Sequence, residues 1–178
     1  VTGAGQYGIR QVSTNLVAFG AISITASTNG DHAYRIEGTS SVKTPSTITI
    51  IATGTSPGYW GFTMYDSSFI QSTGGNVSMT ASGAAGGVFM NTTGGIYATS
   101  NTATPTATPT AGGTLTINGT GASQEGLYVY TGSLISYGSM SLTGSSSGGY
   151  VGLRIINSGT VKSVGAMTFN GATTGSAW

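Results

Sequence analysis

At 178 residues with a formal net charge of +1 and only 5% charged side chains, the chain suits one domain and carries no basic field to steer nucleic acid. It has no cysteine, which excludes disulfides and thiolate metal centres. No apolar run approaches the roughly 20 residues that a membrane span requires, and the many β-branched and aromatic side chains argue against disorder.

Val1 to Gly20 reads as the last two-thirds of a repeat, because Gly8-Ile9-Arg10 matches Gly152-Leu153-Arg154. Whole repeats then begin near Ala21, Thr47, Asn76, Thr114 and Ser139, and a partial one begins near Ala166. Each holds three short apolar–polar alternations separated by Gly/Ser corners, most plainly between Gly138 and Gly165. Period-two alternation means strands with one apolar and one polar face. A single such turn cannot bury its apolar edge, so the repeats must stack on one another.

The first strand of each repeat supplies inward pairs Ile22/Ile24, Ile48/Ile50, Val77/Met79, Leu115/Ile117, Met140/Leu142 and Met167/Phe169. Between the members of each pair lies an outward hydroxyl: Ser23, Thr49, Ser78, Thr116, Ser141 and Thr168. The second strand is predicted to turn inward Tyr34/Ile36, Phe62/Met64, Val88/Met90, Leu127/Val129 and Leu153/Ile155, with Ile9/Gln11 as an imperfect first copy. Leu16, Val42, Phe69, Ile96, Leu134 and Val161 anchor a weaker third strand. The fold expected is all-β, a right-handed parallel β-helix of about six to seven turns with three strands per turn, forming one unit over 1–178.

Three Asn-Gly pairs, at Asn29, Asn118 and Asn170, could mark hairpins of an antiparallel sandwich, but no alternating run follows Gly119, so corners fit better. Asn101 to Ala111 repeats Thr-Pro and cannot continue a ladder, so a loop standing off the rod is expected there, either a tolerated insertion or a contact or O-glycosylation segment.

Runs such as Gly75-Asn76-Val77-Ser78-Met79-Thr80 and Gly138-Ser139-Met140-Ser141-Leu142-Thr143-Gly144, each followed by a Gly-rich corner and Gly-apolar-x-apolar, resemble the β-solenoid repeats of large bacterial surface exoproteins. These are the filamentous-haemagglutinin-like and autotransporter-type adhesins. The resemblance implies an extracellular, cell-surface structural segment, acting by spacing, display and end-to-end stacking rather than by catalysis. Val1 opens the chain with neither methionine nor a signal-peptide pattern, which reads as a mature piece cut from something longer. The partial repeats at its two ends add up to about one turn. Head-to-tail contact with further repeats of the same polypeptide, or with copies of the chain, is therefore expected.

Chemistry is sparse. Asp31, Glu37, Asp66 and Glu125 fall in three separate repeats and form no carboxylate pair, so neither an enzyme nor a cofactor is expected. His32, the only histidine, reads as a solvated corner residue. Arg10, Arg35 and Arg154 share an outward column with Thr63, Phe89 and Tyr128, while Tyr59 and Trp60 lead into the same strand. Tyr59, Trp60, Phe89 and Tyr128 are thus candidate contacts for a glycan or a host or abiotic surface, against the plainer reading that β-formers fill an exposed face. The outward pairs Ser23/Thr25, Ser78/Thr80 and Ser141/Thr143 resemble the threonine arrays of ice-binding β-helices, although Ile51, Asn118 and Asn170 interrupt the second file.

Overall fold

The structure, a computed structural model, describes residues 2–3, 6–100 and 111–175. Its described residues form strands, turns and bends without a helix. The entering coil contributes β1 (Thr2–Gly3), β2 (Ile9–Val12) and β3 (Asn15–Val17). The next adds β4 (Ile22–Thr28), β5 (Tyr34–Glu37) and β6 (Ser41–Thr44), followed by β7 (Ile48–Gly54), β8 (Phe62–Asp66) and β9 (Phe69–Ser72). In the two coils after that, second and third legs merge into long bent strands: β10 (Val77–Gly83) precedes β11 (Val88–Ala98), and β12 (Leu115–Gly121) precedes β13 (Leu127–Ser136). Finally come β14 (Met140–Ser146), β15 (Leu153–Ile155), β16 (Thr160–Ser163) and β17 (Met167–Thr173).

Every pairing is parallel and joins equivalent legs of neighbouring coils, which defines a β-solenoid of about six coils. First legs build a seven-stranded sheet in the order β1-β4-β7-β10-β12-β14-β17. From β4 to β17 its ladder runs without a register shift. Second and third legs share the other sheet, where β11 and β13 slip register between Met90 and Gly95 as the chain turns from one leg to the next. The Thr/Pro-rich segment lies outside the described residues except for Ala111, whose carbonyl accepts the Ser100 N–H at 2.9 Å, so the chain leaves and rejoins the coil at one point.

The expected inward pairs on first and second legs are buried through the middle coils and pack as one continuous core. Burying each such side chain contributes roughly 1.5–3 kcal/mol before chain entropy is subtracted. Gln11 takes an inward place in the entering coil because its amide is satisfied: Nε2 donates to the carbonyls of Thr14 and Ser41, and Oε1 accepts the Tyr34 hydroxyl.

Two sequence expectations are corrected. On the third leg the inward residue is Ile70, not Phe69: Ile70 stands between Val42 and Ile96, while Phe69 pairs with Ser41 and Gly95. The Phe69 N–H donates to Ser40 O at 3.0 Å, which sets that register. Asn118 and Asn170 sit in mid-strand, neither at corners nor in hairpins, with Asn outward and Gly119 or Gly171 on the inward side. These glycines continue a file of Ala26, Ala52 and Ala81 through Gly144. The file is small because the chain bends there toward the second leg. A Cβ on Gly144 would strike the carbonyl oxygen of Gly152, and one on Gly126 would strike the Ser145 backbone.

Candidate functional site

The two sheets present different chemistry outward. On the second-leg face the register stacks Arg10, Arg35, Thr63, Phe89, Tyr128 and Arg154 in one column, as expected. Phe89 lies 5.3 Å from Tyr128 between ring centroids, and Tyr65 lies 5.6 Å from Phe89. The Arg35 guanidinium sits 4.6 Å over the Tyr65 ring, and that of Arg154 5.1 Å over Tyr128, within cation–π range. Trp60 joins this cluster, 5.3 Å from Phe89, but it is only 8% exposed, so it is no surface contact. Its ring lies where a Cβ of Gly86 would stand, and that missing side chain lets the indole settle onto the backbone. Tyr59, 39% exposed, points elsewhere and meets the His32 ring edge-on at 5.4 Å. Of the four aromatic candidates, Phe89 and Tyr128 therefore form one half-buried step, Trp60 underpins it and Tyr59 stands apart.

The charges on this face are spent on one another. Glu37 accepts from Arg10 Nε and Arg35 Nε, both at 2.6 Å. Burial pushes the Glu37 carboxyl up, but these arginines outweigh it and hold the group below the usual carboxylate range. Glu125, also buried, accepts from Arg154 Nη1 at 3.0 Å, and Asp66 caps the Gly38 N–H at 2.8 Å. His32 is buried rather than solvated: its Nδ1 accepts the Trp60 backbone N–H at 3.0 Å, and its Nε2 faces Asp31 Oδ1 at 3.3 Å. Among the described residues no group of three or more His, Cys, Asp or Glu is placed to hold a metal ion.

The first-leg sheet shows no charge at all. All nine charged side chains of the protein lie on other legs or at corners. Ser23, Thr49, Ser78, Thr116, Ser141 and Thr168 fall in one file, as expected. A middle file runs Thr25, Ile51, Thr80, Asn118, Thr143 and Asn170. The register adds a third file that the sequence reading missed: Ser27, Thr53, Ser82, Thr120, Ser145 and Ala172. That file was hidden because the inward residues beside it are Ala and Gly, which give no apolar alternation.

The three files are not uniform. Coils reading Ser-x-Thr-x-Ser, at Ser23, Ser78 and Ser141, alternate with coils reading Thr-x-Ile-x-Thr at Thr49, Thr-x-Asn-x-Thr at Thr116 and Thr-x-Asn-x-Ala at Thr168. Both outer files thus alternate Ser with Thr in the same phase for five coils, and the surface repeats every second coil. Interior files such as Ile24, Ile50, Met79, Ile117 and Leu142 show no such alternation. Folding does not demand it, then. Thr49, Ser78, Thr80, Thr116, Ser141 and Thr143 are bonded through their hydroxyls to no other described residue, while Ser145 and Thr120 share one bond of 3.3 Å.

Together these features define a parallel β-solenoid repeat protein with one neutral hydroxyl face and one aromatic–cationic face. Comparison with models of known families, with curated proteins and with solved structures gives no match.

Proposed function

We propose that the chain is a structural segment of a secreted surface adhesin or extracellular filament, acting by spacing and display rather than by catalysis. The observation that carries this reading is the ladder itself, six first legs in unbroken register around one apolar column. Such a column is a template for more of itself. Met167 and Phe169 continue two of its files yet are 47% and 50% exposed, and a further coil stacked on β17 would cover them. Each acid is occupied in holding a corner or pairing an arginine, which also favours structural work. Fold alone does not assign function, so the resemblance to adhesin repeats is what points to the cell surface.

Sedimentation of the purified 178-residue chain over a wide concentration range tests the stacking. Rods that lengthen with concentration, and that stop lengthening in Phe169→Lys, are expected. A folded monomer at every concentration would overturn end-to-end assembly of copies. Antibody labelling of intact against lysed cells tests the location, and labelling confined to lysed cells would overturn it.

A further inference from the structure

We propose that the first-leg sheet is a docking face for an extended, uncharged β-1,4-linked polysaccharide of the cellulose or chitin kind, lying along the solenoid axis. This rests on the display reading above and names the partner that such a segment would meet. Three observations carry it. The face is hydroxyl-rich and free of charge, whereas the second-leg strands carry Arg10, Arg35, Glu37, Asp66 and Arg154 and the third-leg strands Lys43 and Lys162. Covering it with a neutral polymer therefore strips water from groups that the polymer's own hydroxyls can re-bond, with no ion to desolvate. Its side chains are short, so little rotamer freedom is lost when a flat ligand settles on them.

The third observation is the period. Ser78, Thr80 and Ser82 stand beside Thr116, Asn118 and Thr120, so along both outer files a small serine alternates with a bulkier threonine. The serine hollows recur at every second coil, about 9.6 Å apart at the usual strand spacing. An extended β-1,4-linked chain turns over by a two-fold screw, presenting the same edge at every second sugar, and each sugar advances by about one strand spacing. Along one outer file the hydroxymethyl groups of one edge thus recur with the serine hollows; because the two files alternate in phase, the opposite edge sets its hydroxymethyl groups beside threonines. Ice is the poorer fit. A water lattice matched to single coils needs the middle file intact, and Ile51 and Asn118 interrupt it in alternate coils.

Co-sedimentation of the full chain with microcrystalline cellulose and with chitin tests the proposal. The wild-type chain should pellet with at least one of them, and Ser78→Lys/Ser141→Lys should lower the bound fraction at least tenfold. Ser78→Val/Ser141→Val fills the hollows without charge and should also lose binding, which keeps the test open if the lysine variant fails to fold. Lys43→Ala, on the third-leg side, should bind as the wild type does. Wild-type chain that pellets with neither polymer overturns the proposal. So does binding unchanged in both serine pairs, binding lost instead in Phe89→Ala/Tyr128→Ala, or ice-growth inhibition without polysaccharide binding. None of these outcomes bears on end-to-end assembly, which sedimentation reads separately.

Discussion

The backbone N–H of Trp60 donates to Nδ1 of His32 across 3.0 Å, joining the corners of two successive coils. Nδ1 can accept only while it is unprotonated, so the ring proton sits on Nε2, toward Asp31. Burial pushes the His32 pKa below its ordinary value, with the Arg35 charge adding to this and the Asp31 and Glu37 charges opposing it. The rings of Tyr7 and Tyr59 face the imidazole as well.

A depressed histidine pKa means that the fold prefers the neutral ring. This contribution to stability is fully present above the unfolded value of about 6.5 and is lost as pH falls from there through the folded pKa. The melting temperature of the wild-type chain should therefore drop between about pH 7 and pH 5. His32→Gln, whose side-chain carbonyl can accept from Trp60 without titrating, should show a much flatter profile over that range. Equal slopes would remove His32 as the cause.

Glu37 acts lower on the pH scale. Its carboxyl is held below the ordinary range in the fold, so its contribution is intact above the unfolded value of about 4.3 and is lost as pH falls through the folded pKa. Glu37→Gln removes the charge that engages both Arg10 and Arg35. Because Arg10 is half-exposed, solvent screens part of the pairing, and a loss of about 1–2 kcal/mol is expected rather than the larger cost of breaking a fully buried pair. Urea unfolding at neutral pH checks it, and the variant should also lose the wild-type acid sensitivity below about pH 4.

The in/out assignment is tested on neighbouring residues. Leu142 is fully buried, whereas Ser141 faces solvent in the hydroxyl file. Leu142→Asp buries a carboxylate without a partner and should cost more than about 3 kcal/mol, melting adjacent coils. Ser141→Lys should stay within about 0.5 kcal/mol of the wild type. Comparable losses by thermal unfolding would invert the reading of the strand.

Why some of this was legible from sequence and some was not follows from where apolar contrast exists. Ile48-Thr49-Ile50 and Leu153-Arg154-Ile155 alternate strongly, so strand, face and register were all readable, as was the Arg10 to Arg154 column. Contrast vanishes where Ala52, Ala81 or Gly144 faces inward, and there the third hydroxyl file disappeared from view. Phe69-Ile70 offers two adjacent apolar residues, and only the hydrogen bond to Ser40 decides which one turns inward. Trp60 reads as a surface ring until Gly86 is seen beneath it, a contact between coils that no local pattern encodes.

The glycine file makes its own prediction. Ala81 is accommodated on the inward side of β10, yet at the matching place in β14 a Cβ on Gly144 would run into the Gly152 carbonyl, which is backbone and cannot swing away. Gly144→Ala should therefore destabilise by about 1–3 kcal/mol, although alanine occupies the equivalent position two coils earlier. Gly20→Ala, with open space around its Cβ position, serves as the comparison and should change little. Matched melting temperatures for the two variants would show that the corner is looser than the distances imply.

The Thr/Pro-rich insertion should be dispensable for folding. Ser100 N–H donates to Ala111 O at 2.9 Å, and just inside that point Gly113 N–H donates to Ala98 O at 3.1 Å. The same Ala98 carbonyl accepts the Tyr137 N–H from the next coil at 3.1 Å, and Gln71 Nε2 donates to the Thr99 carbonyl at 3.0 Å, so the base of the insertion is tied into the stack without the insertion itself. Replacing 101–110 with Asn-Gly supplies the two positive-φ residues of a tight type I′ turn across that base. It also shortens the closed loop, and loop-closure entropy favours the shorter loop by about 1 kcal/mol for a change of this size. The expected outcome is a folded rod with unchanged far-ultraviolet circular dichroism and a melting temperature equal to or slightly above that of the wild-type chain. A variant that is soluble but unfolded would show that the insertion packs against the coils and contributes to their stability.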